Sequence, residues 1–188
     1  MKHISMKKVL VAVVLAGAVT GMSAISSCKK TSNTTVKTLY DSLGGTTMVT
    51  DPTNPTTKIE QGRLGIRSVV DSTIFVIAAD TAINKYFTVL LAEVTSGNLS
   101  GFGALSKNLT DFFCTATGAK NFTYGGKNMT DAHNPATNPR MSAKAGNSDF
   151  DAFVNDLVKG AKKNGLSDQL IGRIGAIVGT LRSQVVQK

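Results

Sequence analysis

Tryptophan is absent from the 188 residues, and the chain has only two cysteines, two histidines and four prolines. Each scarcity excludes something. Cys28 and Cys114 alone form neither a Cys-x-x-Cys motif nor a disulfide framework, and one cysteine with one histidine cannot build a zinc site. The prolines, Pro52, Pro55, Pro135 and Pro139, fall in two clusters, which leaves the long stretches between them open to helix. There is no glycine-rich phosphate loop, no Ser-His-Asp or Cys-His arrangement, and no internal repeat. The acids Asp41, Asp71, Asp80, Asp111 and Asp131 are scattered as on solvated faces, which argues against a paired-carboxylate hydrolase. Chemistry by side chains alone is not expected.

What is present begins with a leader. Lys2, Lys7 and Lys8 precede an apolar run, Val9 to Val19, too short to span a bilayer, and small residues follow, the layout of a secretory signal. The segment Ile25-Ser26-Ser27-Cys28 resembles the lipobox of bacterial lipoproteins. That resemblance implies cleavage before Cys28, diacylation of its sulfur, and a protein held by lipid at the periplasmic or outer membrane surface of the cell envelope. The chain then divides into a signal peptide, 1–27, a polar tether, 28–37, and one domain, 38–188. Losing residues 1–27 removes three lysines and no acids, so the formal charge falls from +9 to +6. Lys29 and Lys30 favour an anionic lipid surface beside the anchor, but the other basic residues are scattered without an arginine stripe, so nucleic acid is not an expected partner. Cys114 reads as a small buried apolar residue.

The domain patterns as all-α. A short helix is expected over 37–43, stopped by Gly44-Gly45. Ile66, Val69, Val70, Thr73, Ile74 and Ile77 recur at spacings of three and four, and so do Leu105, Leu109, Phe112, Phe113 and Ala116. Phe150, Phe153, Val154, Leu157, Val158 and Ala161 form a third stripe. A fourth runs from Leu170 through Ile174, Ile177, Val178 and Leu181 to Val185, and Gly165 separates the last two as antiparallel neighbours. Residues 46–60, 88–101 and 134–147 read as long loops.

His133 is the single histidine outside the leader. It follows Met129 by four residues, so both share a face of a short helix that Asn134-Pro135 ends. The ordered stretches TLYDSLGG (38–45), VVDSTIF to KYF (69–87), DFFCTATGA (111–119), YGGKNMTDAH (124–133) and FDAFVNDLV (150–158) resemble the group I truncated haemoglobins over about residues 38–187. The resemblance implies a two-over-two helical sandwich around haem b, with His133 as the proximal iron ligand. It also places Phe87 on the haem face, Phe112 and Phe113 on the distal helix, and Met129, Phe150 and Phe153 in the pocket wall. The proximal imidazole needs its second nitrogen fixed by a carbonyl of the preceding turn, near Met129.

The departures from the family pattern bear on function. Many group I members carry a tyrosine on the second helix and a glutamine on the distal helix that donate hydrogen bonds to bound dioxygen. Here the matching positions are Ile74 and Leu109, with Leu105 one turn before the latter, all apolar. Unless Tyr86, Tyr124, Asn108 or water supplies a donor, the pocket suits nitric oxide and carbon monoxide better than it suits stable oxygen carriage. The expected function is binding of diatomic gases, oxygen, nitric oxide or carbon monoxide, serving gas sensing or nitric oxide scavenging. Dioxygenase turnover, haem handling or electron transfer, and a haem-free interaction module remain alternatives. Gly118-Ala119 stands where the family has a glycine pair, and the long stretches 46–60, 88–101 and 134–147 offer cover for a haem edge or a surface for a partner.

Overall fold

The stripe read over 66–77 is the buried face of α2, Gln61–Ala79, where Ile66, Val69, Val70, Ile74 and Ile77 are all core residues. Burying a side chain of this kind contributes about 1.5–3 kcal/mol. In the computed structural model, which describes residues 37–188, α2 packs on both α4, Ser100–Ala116, and α6, Asn147–Lys163. A turn through Gly165, whose φ is +72°, leads from α6 to α7, Asp168–Gly179, which packs back on it. Two helix pairs, α2 with α4 and α6 with α7, thus stack as a two-over-two sandwich. The expected signal peptide, Cys28 and nearly all of the tether lie outside the described residues.

The α2–α6 crossing is close because Gly160 allows it. A Cβ at that position would lie 2.3 Å from the Thr73 hydroxyl and 2.9 Å from the Thr73 backbone nitrogen. The Thr73 hydroxyl meanwhile donates to the Val69 carbonyl at 2.8 Å, so it is satisfied within its own helix.

The expected short first helix is α1, Leu39–Ser42. Thr38 caps it, accepting from the Asp41 amide at 3.0 Å while the Asp41 carboxylate accepts from the Thr38 amide at 3.0 Å. Gly44 and Gly45, at φ +124° and +60°, end it by a left-handed turn. Tyr40 is buried, and its hydroxyl donates to Glu60 at 2.7 Å. Burial chiefly, and this bond next, push the phenol well above its usual range.

Three expectations about the connections are corrected. Residues 46–60 are not a loop: β1, Met48–Asp51, and β2, Asn54–Glu60, form an antiparallel hairpin in which Val49 faces Ile59 and Thr50 faces Lys58. Its turn is built by Asp51, which accepts from the Thr53 amide and hydroxyl at 2.8 and 2.7 Å. Arg67 of α2 fastens that turn with two bonds to Asp51 at 3.0 and 2.7 Å. Most of 88–101 is also ordered, as α3, Thr88–Thr95, packed on α4 after a 3₁₀ turn at Asn84–Phe87. The last stripe is broken after Gly179, where the Thr180 hydroxyl bonds the Ile177 carbonyl at 2.7 Å; α8, Arg182–Val185, follows.

Asp111 is not on a solvated face either. It is buried on α4 between Arg63 and Lys107, each at 2.7 Å, and although burial raises its pKa these cations outweigh that and hold it below the ordinary carboxylate value. Arg63 also lies over the Phe122 ring at 4.5 Å and reaches the buried Cys114 sulfur at 3.9 Å. Burial pushes that thiol up to about 11, as the apolar reading of the cysteine requires.

Candidate functional site

His133 ends α5, Met129–Ala132, a helix of one turn. So short an element cannot hold its own shape, and the surroundings do it instead. Asn128 caps the start, accepting from the Asp131 amide at 2.8 Å and donating to the Asp131 carboxylate at 2.6 Å. All four carbonyls of α5 are then taken. Met129 O accepts from the His133 ring at 2.8 Å, Thr130 O from Gln187 at 2.7 Å, Asp131 O from the Thr137 hydroxyl at 2.9 Å, and Ala132 O from the Asn138 amide at 2.7 Å.

The bond to Met129 settles the state of the imidazole. Nδ1 carries the proton and donates, so Nε2 keeps its lone pair. Burial lowers the pKa of His133, and the Met129 carbonyl opposes this only in part, so the ring is neutral at neutral pH. A half-buried neutral imidazole with a fixed tautomer is suited to coordinate a metal.

The aromatic and aliphatic residues expected at the site fall into two groups. Ile74, Phe113 and Phe150 are buried in the central core. Phe87, Leu105, Leu109, Phe112 and Phe153 are only partly covered and lie against that same core. Phe87 and Phe153 also touch a second buried group, Ile77, Ile83 and Tyr86, so they bridge the two. Met129 is half-buried and is tied to His133 through its carbonyl. α4 packs on α2 and α3, whereas the histidine helix α5 packs on α8.

The two tyrosines considered for the distal side are otherwise engaged. Tyr86 is buried and donates to Asp149 at 2.7 Å, while Lys188 bonds its hydroxyl at 3.0 Å. Tyr124 packs edge-on against Phe112 at 5.5 Å and donates to the Lys127 carbonyl at 2.6 Å. Asn108 is exposed. Ser106, buried on α4, donates to Asp71 of α2 at 2.5 Å and so ties these two helices together.

The 134–147 stretch beyond His133 is fastened at several points. Arg140 makes two bonds to Glu93 of α3, at 2.9 and 2.5 Å, and Thr88 meets Ser142 at 2.6 Å. An apolar cavity elsewhere, lined by Leu43, Ile66, Val69, Phe113, Leu157 and Ile174 among others, has no lining residue on α5.

The bond between the His133 ring and the Met129 carbonyl agrees with the sequence expectation, whereas the other partners of α5 were not expected. Asn128 followed three residues later by Asp131 is a legible cap signal. Nothing in the sequence marks Gln187 as a partner of Thr130, 57 residues away.

No protein-family model matches the chain, and no curated protein sequence does. Solved structures do match. Truncated haemoglobin from Tetrahymena pyriformis, in one variant in the Fe(III) form, is 23% identical with a TM-score of 0.52, over 66% of this chain and 91% of that one. A second variant of it, also in the Fe(III) form, is 22% identical with a TM-score of 0.56, over 80% and 99%. The 2/2 haemoglobin from Synechococcus sp. PCC 7002, in the cyanomet state with covalently attached haem, is 21% identical with a TM-score of 0.55, over 80% and 99%. These likenesses establish the fold, which is the truncated-globin, two-over-two fold.

The solved structures that share this fold are haemoglobins, so the donor set of this chain can be tested against a haem. Among the described residues there is no group of three or more His, Cys, Asp or Glu able to hold a bare metal ion. One imidazole cannot retain such an ion, but it could hold an iron whose remaining ligands come with a macrocycle.

Proposed function

We propose that this protein is a haem-binding globin of the group I truncated type, lipid-anchored in the cell envelope through Cys28, that binds diatomic gas ligands. The observation that carries the reading is the His133 Nδ1 bond to the Met129 carbonyl at 2.8 Å, which leaves Nε2 as the one free imidazole nitrogen among the described residues. Haem b, when bound, would supply an iron centre able to take up oxygen, nitric oxide or carbon monoxide. The chain's own residues do the rest.

His133 would hold the iron, and Met129 O would fix the ring. Phe87, Met129, Phe150 and Phe153 would wall the macrocycle, with Ile74, Leu105, Leu109, Phe112 and Phe113 on the gas side. These residues exclude water and offer no hydrogen bond. With the Tyr86 and Tyr124 hydroxyls committed elsewhere, neither tyrosine is available to a ligand that accumulates negative charge. Nitric oxide and carbon monoxide, which gain least from such a bond, are the gases this chemistry retains best. Gas sensing or nitric oxide scavenging is the use that follows.

The test is the absorption spectrum of the ferrous, haem-loaded protein before and after carbon monoxide, nitric oxide and air. A five-coordinate band that shifts with carbon monoxide and nitric oxide, and that gives way to ferric haem quickly in air, supports the reading. A folded protein that takes up no haem overturns it.

A further inference from the structure

Three of the four carbonyl partners of α5 come from His133 and the residues just after it, but the fourth, Gln187, comes from the far end of the described chain. Gln187 is itself held. Its amide donates to the Ala145 carbonyl at 2.9 Å, and Val186 bridges to Ala145 just before α6. Lys188 next to it bonds the Tyr86 hydroxyl at 3.0 Å and lies 3.5 Å from the Asp149 carboxylate. Asp149 in turn accepts from Tyr86 at 2.7 Å and from the Gly146 amide at 2.8 Å. The segment 186–188 thus joins the helix that bears His133 to the start of α6 and to the 3₁₀ turn that carries Phe87.

We propose that Gln187 is a positioning residue for His133. It acts through Thr130: its side-chain amide fixes the outer face of a one-turn helix whose opposite end presents the imidazole, and so sets the direction of Nε2. The inference rests on the haem reading above. A helix of four residues whose four carbonyls each have a partner loses one of those four partners when this amide is removed, and the ring then samples a wider range of orientations.

The test compares the haem-loaded wild-type protein with Gln187→Ala and with the isosteric Gln187→Glu, whose carboxylate cannot donate to Thr130 at neutral pH. Two readouts are taken: the iron–histidine stretching band of the ferrous protein, and the rate of haem transfer to excess apomyoglobin. Both variants are expected to broaden or shift the band and to release haem about tenfold faster, the low end of what loss of an outer-shell partner costs a metal site. A fall in the urea midpoint with an unmoved band overturns the proposal in favour of simple tethering, and so do variants indistinguishable from wild type. If wild type takes up no haem, or keeps its spectrum when His133 is replaced, the haem reading fails and this inference with it. A normal His133-ligated wild type with unaffected Gln187 variants sinks only the inference.

Discussion

Gly160 of α6 and Thr73 of α2 meet so closely that a single methyl group at Gly160 would fall 2.3 Å from the Thr73 hydroxyl and 2.9 Å from its backbone nitrogen. The hydroxyl could rotate away, but the backbone atom cannot. This contact sets the separation of the two helix pairs, and Ile74, one residue along α2, is placed by it.

Gly160→Ala is therefore expected to destabilise the fold by about 1–3 kcal/mol, the usual cost of overpacking, even though alanine is the better helix former. Urea unfolding of the apoprotein reads this directly. A midpoint that rises would mean that the helices separate at no cost and that the crossing is not the tight point of the sandwich.

His133→Gly removes the imidazole but leaves α5 its other three carbonyl partners, Gln187, Thr137 and Asn138. Haem affinity is expected to fall about a hundredfold or more, and free imidazole added at millimolar concentration should restore much of the ferrous spectrum by occupying the vacated space. Recovery identifies His133 as a ligand and not merely a packing residue. Unchanged affinity in the variant would remove the proximal assignment altogether.

The helical pairs were legible because their stripes are long and regular: Ile66 to Ile77 and Phe150 to Ala161 bury the faces that their spacing defines. His133 stands out in the sequence because it is the sole histidine beyond His3, and the structure places it at a helix end. The hairpin was not, since Asn54-Pro55-Thr56-Thr57-Lys58 has no apolar alternation and Pro55 argues against a strand interior. Its order comes from Arg67 gripping Asp51 across 16 positions, and such long-range charge pairing leaves no local pattern. The same holds for Asp111, whose neighbours at one turn suggest solvent until Arg63 closes over it from α2.

The Asp51–Arg67 pair gives a pH dependence with a definite sign. Arg67 first, and the Thr53 hydroxyl and amide after it, hold the Asp51 carboxyl well below its usual range. The unfolded chain, with an Asp pKa of about 3.9, binds the proton first, so stability contributed by the pair is complete above that value and is lost as pH falls toward the folded pKa. Asp51→Asn should lower the urea midpoint at pH 7 and should show a shallower loss than wild type between pH 5 and pH 3. Parallel acid limbs for the two proteins would show that the hairpin turn does not depend on this charge.

If the proposed haem site is right, Leu109 is the position at which one substitution should change which gas it keeps. It lies partly covered on α4 beside Phe112 and Phe113, one turn after Leu105, with no polar side chain of its own to offer. Leu109→Gln places an amide donor there at nearly constant volume. A net hydrogen bond of about 1–1.5 kcal/mol corresponds to roughly a fivefold to tenfold change in a rate or equilibrium. Oxygen dissociation from the ferrous protein should slow by that factor, and oxidation in air should slow with it, while carbon monoxide dissociation should change far less because that ligand carries little charge to stabilise. Stopped-flow ligand displacement measures both. Equal slowing of the two gases would point to steric closure of the pocket, and no change in either would place Leu109 away from the gas, so that the missing donor would have to be sought at Ile74 or Leu105.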